Sequence, residues 1–369
     1  MKMMFKKLKQ KIESKRNSKK IFWKSLIFCK DAVWWLQQDK HELMLRIFYE
    51  LMLRINARHL YGPKKIDYGK NEVIVVCLVK DGEEYIKSFI EHYFYLGFKH
   101  IVFMDNDSTD KTVSIAKNYK NVTILQTNLP YKIYKFKIKE YLVKHFSKNR
   151  WCLCADIDEF FDYPFSDVLD LNCFISYLNN KQYTCVVAQM LDMFSNKSLC
   201  SLKGKSDLKN YYNYFDISNV IKEDYPSNLN NYISNQDIKF YHGGIRKKLF
   251  NLNVWLTKHP LIFFDNKIKP FVNSSNILTK ARIADVTCVF FHYLFTKRFY
   301  DKVFRVVKEE SYIKNSYEYK KIYKVLKNKP DMVIKQKTSK KFENINKLID
   351  HGFLVVSDDY IKLVKKKIK

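Results

Sequence analysis

Short apolar runs alternate with segments of helical spacing through the first half of the chain. The run Val73–Val79 is apolar throughout, which is typical of a strand buried on both faces of a parallel sheet. Residues 84–96 then carry apolar side chains at helical spacing and stop at Gly97, a residue that commonly ends helices. The pattern predicts a strand followed by a helix at the start of a folded domain.

The same alternation continues to the stretch that begins at Trp151. Apolar runs predict further strands at 101–104, at 122–126 and from 151, and helical spacing predicts helices at 112–119 and 135–146. This β-α-β-α-β-α-β order predicts an α/β fold, a Rossmann-like and mostly parallel sheet flanked by helices. Ligands of such sheets bind at the carboxyl ends of the strands.

Three polar clusters follow predicted strands at that edge: Lys80-Asp81, residues 105–110, and residues 156–159. A carboxylate at the end of an apolar strand is costly unless it is paired or binds a metal. The sequence has no Gly-x-Gly-x-x-Gly and no Gly-x-x-x-x-Gly-Lys-Ser/Thr phosphate loop. We therefore expect Asp156 and Asp158 to bind Mg²⁺ or Mn²⁺ for a nucleotide diphosphate. A solvated loop is the alternative for so short a motif.

The composition fits a folded protein whose basic residues lie mainly at its ends. The chain has 369 residues, 47% of them hydrophobic, and a formal net charge of +29. Residues 1–70 hold 18 Lys and Arg against 6 Asp and Glu, residues 296–369 hold 21 against 9, and residues 71–295 hold 28 against 23. Basic ends favour an anionic membrane surface or partner over nucleic acid. A lysine-rich composition without a binding role is the alternative.

These patterns suggest three regions and a location in the cell. They are a basic amphipathic helical extension (1–70), a catalytic domain (71–295) and a basic helical C-terminal region (296–369). Residues 42–55 predict one long amphipathic helix, and the basic, aromatic N-terminus fits an interfacial helix or one docked on the domain. We expect no signal peptide and no transmembrane helix. The eight cysteines show neither zinc spacing nor a disulfide framework, which favours a reducing compartment. We expect a cytoplasmic protein, and the basic termini raise the hypothesis of peripheral attachment to the inner face of the membrane.

Several motifs occur together and in order along residues 73–300. They are the stretches at 79–86, 89–97, 105–110 (Asp-Asn-Asp-Ser-Thr-Asp), 156–160 (Asp-Ile-Asp-Glu-Phe), 242–246 (His-Gly-Gly-Ile-Arg), 281–286 and 290–293. In combination they resemble the GT-A-fold glycosyltransferases of the family-2-like kind that make bacterial surface polysaccharides. The two flanks lie outside this resemblance.

The resemblance implies the parts of a donor site. It places the base and ribose of a nucleotide sugar over the first two strand ends, near Lys80, Asp81, Asp105 and Asp107. It also implies that Asp156 and Asp158 bind the donor diphosphate through Mn²⁺ or Mg²⁺.

Two later residues extend this site. His292 resembles the histidine that completes the metal or phosphate shell, and a core histidine is the alternative. Arg246 follows two glycines that allow close backbone approach, so it is a candidate contact to phosphate or sugar. A surface arginine in a basic run is the other interpretation.

The chain departs from the resemblance at two places. Many relatives read Asn-Glu where this sequence has Asp81-Gly82-Glu83, which concerns base recognition. Relatives often carry a histidine in the loop that here reads Asn273-Ser-Ser-Asn276, which concerns the acceptor side.

An inverting transfer, usual for this kind of enzyme, needs a carboxylate base for the acceptor hydroxyl. Asp192 and Asp237 are the candidates, and an ordinary loop or capping aspartate is the alternative for each. We predict a metal-dependent transfer of a sugar from a nucleotide-sugar donor to a glycan or lipid-linked acceptor in surface polysaccharide synthesis. The competing class is a non-catalytic anion-binding, nucleic-acid-binding or membrane-surface protein. The nearly balanced charge of 71–295 argues against a nucleic-acid partner.

Overall fold

A computed structural model describes residues 39–202, 207–226, 231–265, 281–309 and 317–368. The chain divides into two compact units, Met1–Met52 and Leu53–Lys369. The predicted N-terminal interfacial segment and the loop 273–276 lie outside the described residues. The long helix predicted at 42–55 is present as α1, Asp39–Asn56. No helix in the described ranges is long and apolar enough to cross a membrane.

The second unit is built on a mixed sheet of ten strands. These are β1 (Arg58–Tyr61), β2 (Val73–Val79), β3 (His100–Asp105), β4 (Val122–Gln126), β5 (Arg150–Cys154), β6 (Glu159–Asp162), β7 (Cys185–Asp192), β10 (Tyr232–Ile233), β12 (Thr257–Phe264) and β13 (Arg282–His292). Their order is β1-β4-β3-β2-β5-β12-β7-β13-β10, and β6 pairs with β13. Two smaller sheets pair β8 (Tyr214–Phe215) with β14 (Lys340–Lys341) and β9 (Val220–Glu223) with β11 (Phe240–Gly243).

Helices follow most of these strands and cover the sheet. They are α2 (Glu83–Tyr95), α3 (Thr112–Ala116), α4 (Tyr131–Phe146), α5 (Leu171–Asn180), α6 (Leu208–Tyr211), α7 (Gly244–Phe250), α8 (Lys297–Glu309), α9 (Tyr317–Asn328), α10 (Asn346–Asp350) and α11 (Asp358–Ile368). The predicted α/β fold with a largely parallel sheet is confirmed. Helix α4 begins four residues before the predicted start, because the φ of −57° at Pro130 suits a helix start.

The order of the four predicted strands locates a crevice. Strands β2, β3 and β4 are adjacent and parallel, and β5 lies on the other side of β2, also parallel to it. The direction of winding therefore reverses between β2 and β5. Open α/β sheets bind ligands at such a switch point, outside the carboxyl ends of the two strands. In this chain that position brings Lys80 and Asp81, after β2, towards Asp156, after β5.

The half of the sheet that contains β12, β7, β13 and β6 is partly antiparallel. The apolar runs in the sequence did not predict this. Strand β12 lies between β5 and β7 and is antiparallel to both. Strand β13 is parallel to β7 and antiparallel to β6. Because β13 and β7 pair His292 with Asp192, their carboxyl ends meet at the same edge as the end of β5.

The C-terminal region belongs to the same compact unit as the sheet. Leu348, Phe353 and Tyr360 are buried in the same apolar core as the central strands. The hydroxyl of Tyr360 donates to the carbonyl of Pro164 at 2.7 Å, and the Thr287 N–H of β13 donates to the Val355 carbonyl at 2.8 Å. The domain boundaries at 70 and 295 stay predictions, but this packing joins 296–369 closely to the sheet.

We expect Tyr360→Ala to lower the free energy of unfolding by about 3–5 kcal/mol, because it removes a fully buried aromatic ring and its hydrogen bond. Tyr95→Ala is the matched control, since Tyr95 is 85% exposed, and it should change stability by less than about 0.5 kcal/mol. Urea unfolding followed by circular dichroism measures both. Equal stability of the two variants would show that the C-terminal region does not support the core.

Candidate functional site

Four strands bring a group of charged side chains to one edge of the sheet. Strand β5 ends at Cys154, and the loop with Asp156 and Asp158 leads into β6, whose first residue is Glu159. Strand β13 ends at His292, which pairs with Asp192 in β7 and with Glu159 in β6. The Tyr293 N–H donates to the Asp158 carbonyl at 2.9 Å, which fastens the loop to the end of β13.

Asp158, His292, Asp192 and Arg246 form a chain of contacts. His292 Nε2 lies 3.6 Å from Asp158 Oδ2, and His292 Nδ1 lies 2.6 Å from Asp192 Oδ1. Arg246 Nε donates to Asp192 Oδ2 at 2.8 Å. Both oxygens of Asp192 are therefore engaged. The imidazole is held by Asp192 so that Nε2 faces Asp158.

Burial and neighbouring charges shift the pKa values of His292 and Asp192 in opposite directions. Burial alone would lower the pKa of His292, but hydrogen bonds and charge from Asp158 and Asp192 outweigh it and raise that pKa to about 9. Burial raises the pKa of Asp192, but Arg246 and His292 outweigh it and hold that pKa below its usual value. Asp192 is thus a stable carboxylate at neutral pH and a weak proton acceptor.

Lysines neutralise the other two carboxylates of the Asp156–Glu159 loop. Lys139 of α4 lies 2.6 Å from Asp156 Oδ1, and Lys258 of β12 pairs with Glu159. Glu159 also accepts from the Asp156 N–H at 3.1 Å. Burial would raise the pKa of Asp156, but Lys139 and its lysine neighbours lower it well below the usual range.

The side chains of Asp156 and Asp158 remain 28% and 27% exposed, although the residues around them are buried. A ligand at this edge can therefore reach both carboxylates, whereas Glu159 is 3% exposed and supports the loop from behind.

Lys139 and Lys258 were not identified from the sequence. A signal was present for Lys139, because it falls in the buried stripe of α4 with Ile138, Leu142 and Phe146. A lysine at such a position must find an anionic partner. No comparable signal marks Lys258, whose position next to the loop depends on the antiparallel insertion of β12.

The loops after β2 and β3 bind each other. The ammonium of Lys80 donates to the Asn106 carbonyl at 3.1 Å, and Asp81 Oδ1 accepts from the Thr109 N–H at 2.8 Å. Asp81 and Asp107 adopt positive φ values of 48° and 63°. Lys80 and Asp81 thus shape the edge, while Asp107 is exposed on it.

Asp105, at the end of β3, is fully buried and only partly satisfied. Its Oδ2 accepts from the Ser108 N–H at 3.1 Å and from Gln126 Nε2 at 3.0 Å. Its Oδ1 has no hydrogen-bond partner among the described residues. Buried polar atoms are normally paired, so an unpaired carboxylate oxygen beneath this edge is a place where a buried water would find a partner.

Gly82 allows the loop after β2 to lie against the Asp156–Asp158 loop. A Cβ at this position would lie 2.7 Å from Val79 Cγ2 and 3.1 Å from Ile157 Cγ1. A side chain here would push the two loops apart. The stretch Asp81-Gly82-Glu83 differs from the Asn-Glu of many relatives. In this protein its glycine lies at a close contact between the two strand ends at the switch point.

The two candidate bases lie in different places. Asp192 belongs to the cluster, whereas Asp237 is exposed and its N–H donates to Asn235 Oδ1 at 2.9 Å. Asn235 in turn donates to the carbonyl of Asp285 on β13 at 3.2 Å. Asp285 lies seven positions before His292, which is about 23 Å along an extended strand. The contacts of Asp237 therefore lie towards the opposite end of β13.

A divalent cation fits part of this cluster. Asp158 and His292 face one another, and a carboxylate behind a histidine, as Asp192 is here, is the usual support of a metal-binding imidazole. Asp156 Oδ1 is occupied by Lys139. No group of three or more His, Cys, Asp or Glu positioned to hold a metal occurs in the ranges that the structure describes. Two protein ligands completed by phosphate oxygens are the arrangement that Mg²⁺ commonly adopts.

No family model matches the chain, and no curated protein is similar enough in sequence to count as a relative. Among solved structures, the chain is similar to mannosyltransferase PcManGT from Pyrobaculum calidifontis in complex with GDP-Man and Mn²⁺. The two are 15% identical, the match covers 40% of this chain and 42% of that chain, and the TM-score is 0.27. The chain thus spans less than half the length of that protein.

Two further structures cover more of the chain. HddC from Yersinia pseudotuberculosis is 10% identical over 63% of this chain and 96% of its own, with a TM-score of 0.29. A UDP-glucose pyrophosphorylase complexed with UDP-glucose is 7% identical over 80% and 98%, with a TM-score of 0.23. At such low scores these likenesses add nothing to the argument from the site.

We expect Lys139→Met to lower the free energy of unfolding by about 2–4 kcal/mol, because it leaves the Asp156 carboxylate without its nearest cation. The second change in Lys139→Met/Asp156→Asn removes that charge and should restore most of the loss. Lys144→Met is the control on the same helix, since Lys144 is exposed and its pair with Glu140 should be worth less than about 1 kcal/mol. Urea unfolding measures all three, and a double variant no more stable than Lys139→Met would contradict the pairing.

Proposed function

We propose that the protein is a metal-dependent glycosyltransferase that moves a sugar from a nucleotide-sugar donor to a glycan or lipid-linked acceptor in surface polysaccharide synthesis. The observation that carries the proposal is the Asp158–His292–Asp192 arrangement beside a partly exposed Asp156 at the β2/β5 switch point. The motif resemblance, which runs through the same residues, supports it.

The nucleoside would bind over the loops after β2 and β3. Asp105 is fully buried and would support this platform from beneath, and the exposed Asp107 suits a ribose hydroxyl. Lys80 and Asp81 hold this platform in shape through their contacts to the Asn106–Thr109 loop.

The diphosphate would lie between these loops and the Asp156–Asp158 loop. Asp158 and His292 would hold Mn²⁺ or Mg²⁺, with Asp156 beside them. The ion would take the place of the proton on His292 Nε2 and would neutralise charge that develops on the leaving diphosphate. Asp192 orients the imidazole of His292, and Arg246 holds Asp192 in place. Arg246 therefore acts on the site through Asp192, in addition to any contact with the donor.

The acceptor hydroxyl would approach from the side away from the diphosphate. An inverting transfer needs a base there. Asp192 lies in the cluster, but its low pKa and two engaged oxygens suit it better to positioning His292. Asp237 is anchored far along β13. Both assignments stay predictions, and the placement of Asp237 disfavours it.

A non-catalytic anion-binding protein is the second candidate for this site. The surplus of basic residues at the ends of the chain favours it. It does not account for a histidine held between two carboxylates at the strand ends, since an anion site would not need Asp158 and Asp192. Turnover of a nucleotide sugar separates the two functions.

We expect the purified protein to release a nucleoside diphosphate from at least one member of a panel of nucleotide sugars, and to do so faster with Mn²⁺ than with a chelator. Asp158→Asn should lower that rate by at least about 100-fold, because it removes an ionised metal ligand. Asp192→Asn should weaken Mn²⁺ binding, measured by electron paramagnetic resonance, by about 10- to 100-fold. Asp167→Asn, an exposed carboxylate outside the cluster, is the matched control.

The catalytic proposal fails if no nucleotide sugar is bound or turned over, or if Asp158→Asn acts like wild type. Equal rates with Mn²⁺ and with chelator would be compatible with a transferase but would contradict its metal dependence.

We further propose that the basic termini attach the protein to anionic membranes. Residues 1–24 hold ten basic residues and one acidic residue, and the lysines at the end of α11 are exposed. Full-length protein should float with vesicles that contain anionic lipid at low salt, and deletion of residues 1–38 should weaken this several-fold. Equal flotation of both proteins, or flotation with neutral vesicles alone, would contradict the proposal.

A further inference from the structure

Each carboxylate of the cluster has a cationic partner inside the protein, and His292 contacts two of these carboxylates. The pairs are Asp156 with Lys139, Glu159 with Lys258, Asp192 with Arg246, and Asp158 with His292. Each of these cations already has an anionic partner inside the protein. Lys135 is a further positive group whose charge acts on Asp156.

Lys135 lies one helical turn before Lys139 on α4, so both side chains point to the same side of the helix. Its ammonium lies 5.6 Å from the ring centroid of Tyr131 and 5.7 Å from that of Phe136. Within the described ranges, no carboxylate lies within 4.0 Å of this ammonium. Two aromatic faces thus hold a cation that lacks a carboxylate partner.

The charges around Lys135 are those of the Asp156–Glu159 loop. Burial, the largest effect, lowers the pKa of Lys135, and the charges of Asp156 and Glu159 partly offset this while Lys139 and Lys258 add to it. Burial and the charges of Lys139 and Lys258 thus disfavour the ammonium form of Lys135. An anion that enters the crevice would relieve that cost.

We propose that Lys135 binds the diphosphate of the donor and donates a hydrogen bond to it as it leaves. This assignment rests on the proposed glycosyltransferase function and adds a residue to it. An ammonium is a compact charge with three donors, which suits a phosphate oxygen. The aromatic rings hold the side chain without occupying any of those donors in a salt bridge.

Lys135 acts on one side of a balanced transfer. The acceptor oxygen forms a bond to the anomeric carbon while the bond from that carbon to the β-phosphate oxygen breaks. The electron pair of the broken bond stays on the phosphate oxygen, and the acceptor proton passes to a general base. The hydrogen bond from Lys135 strengthens as negative charge grows on the diphosphate, so it lowers the barrier as well as aiding binding.

The test compares Lys135→Met, Lys135→Gln and the control Lys144→Met by isothermal titration with UDP, GDP, their nucleosides and inorganic pyrophosphate. Lys144 lies on the same helix, is exposed and pairs with Glu140, so its variant removes the same charge outside the site. We expect both Lys135 variants to weaken diphosphate and pyrophosphate binding about 10- to 100-fold. Nucleoside binding and urea unfolding should stay as in wild type. The kcat for donor turnover should fall together with diphosphate affinity.

The outcomes separate this inference from the proposed function. Unchanged diphosphate affinity and kcat in Lys135→Met, with a wild type that turns over donor, would overturn the role of Lys135 alone. An equal loss of nucleoside and diphosphate binding would show a structural effect and also overturn it. A wild type that neither binds a nucleoside diphosphate nor turns over a nucleotide sugar would overturn both.

Discussion

The ion pair between Lys139 and Asp156, with an N–O distance of 2.6 Å, sits where the apolar strand β5 gives way to a loop of three carboxylates. Taking an ionised carboxylate out of water costs several kcal/mol unless a cation and hydrogen bonds replace the lost hydration. Lys139 supplies that replacement for Asp156, and Lys258 does so for Glu159. Without them the loop could not lie so deep in the sheet edge, and Asp158 would not face His292.

The pairing of β7 with β13 gives this loop its chemistry. His292 and Asp192 are opposite each other in parallel strands, and their side chains meet at 2.6 Å. A shift of the register by one residue would turn His292 to the other face of the sheet. The same strand continues to Asp285, where Tyr177 and Ser357 donate to the carboxylate, so the packing of the C-terminal helices also supports β13.

Charge therefore has two different uses at this edge. Four cations are neutralised by carboxylates of the protein, and they fix the geometry of the loop and of His292. The charge of Lys135, held against aromatic rings, is left for a ligand. A site in which every cation was already paired would bind an anionic diphosphate weakly, because the ligand would have to compete with carboxylates that never leave.

Strands β2 to β5 could be predicted from the sequence, because runs such as Val73–Val79 are apolar at every position, as in a strand that is covered on both faces. The sequence also determined that Asp81, Asp105 and Asp156 share an edge, since the carboxyl ends of parallel strands do so in any right-handed winding. The partners of these residues could be identified only in the folded protein. Lys258 reaches Glu159 from a strand about a hundred residues later, and Asp237 lies away from the cluster although it precedes the motif with Arg246. Periodicity shows which face of an element is buried, but the register and the antiparallel insertion of β12 decide which distant side chains meet there.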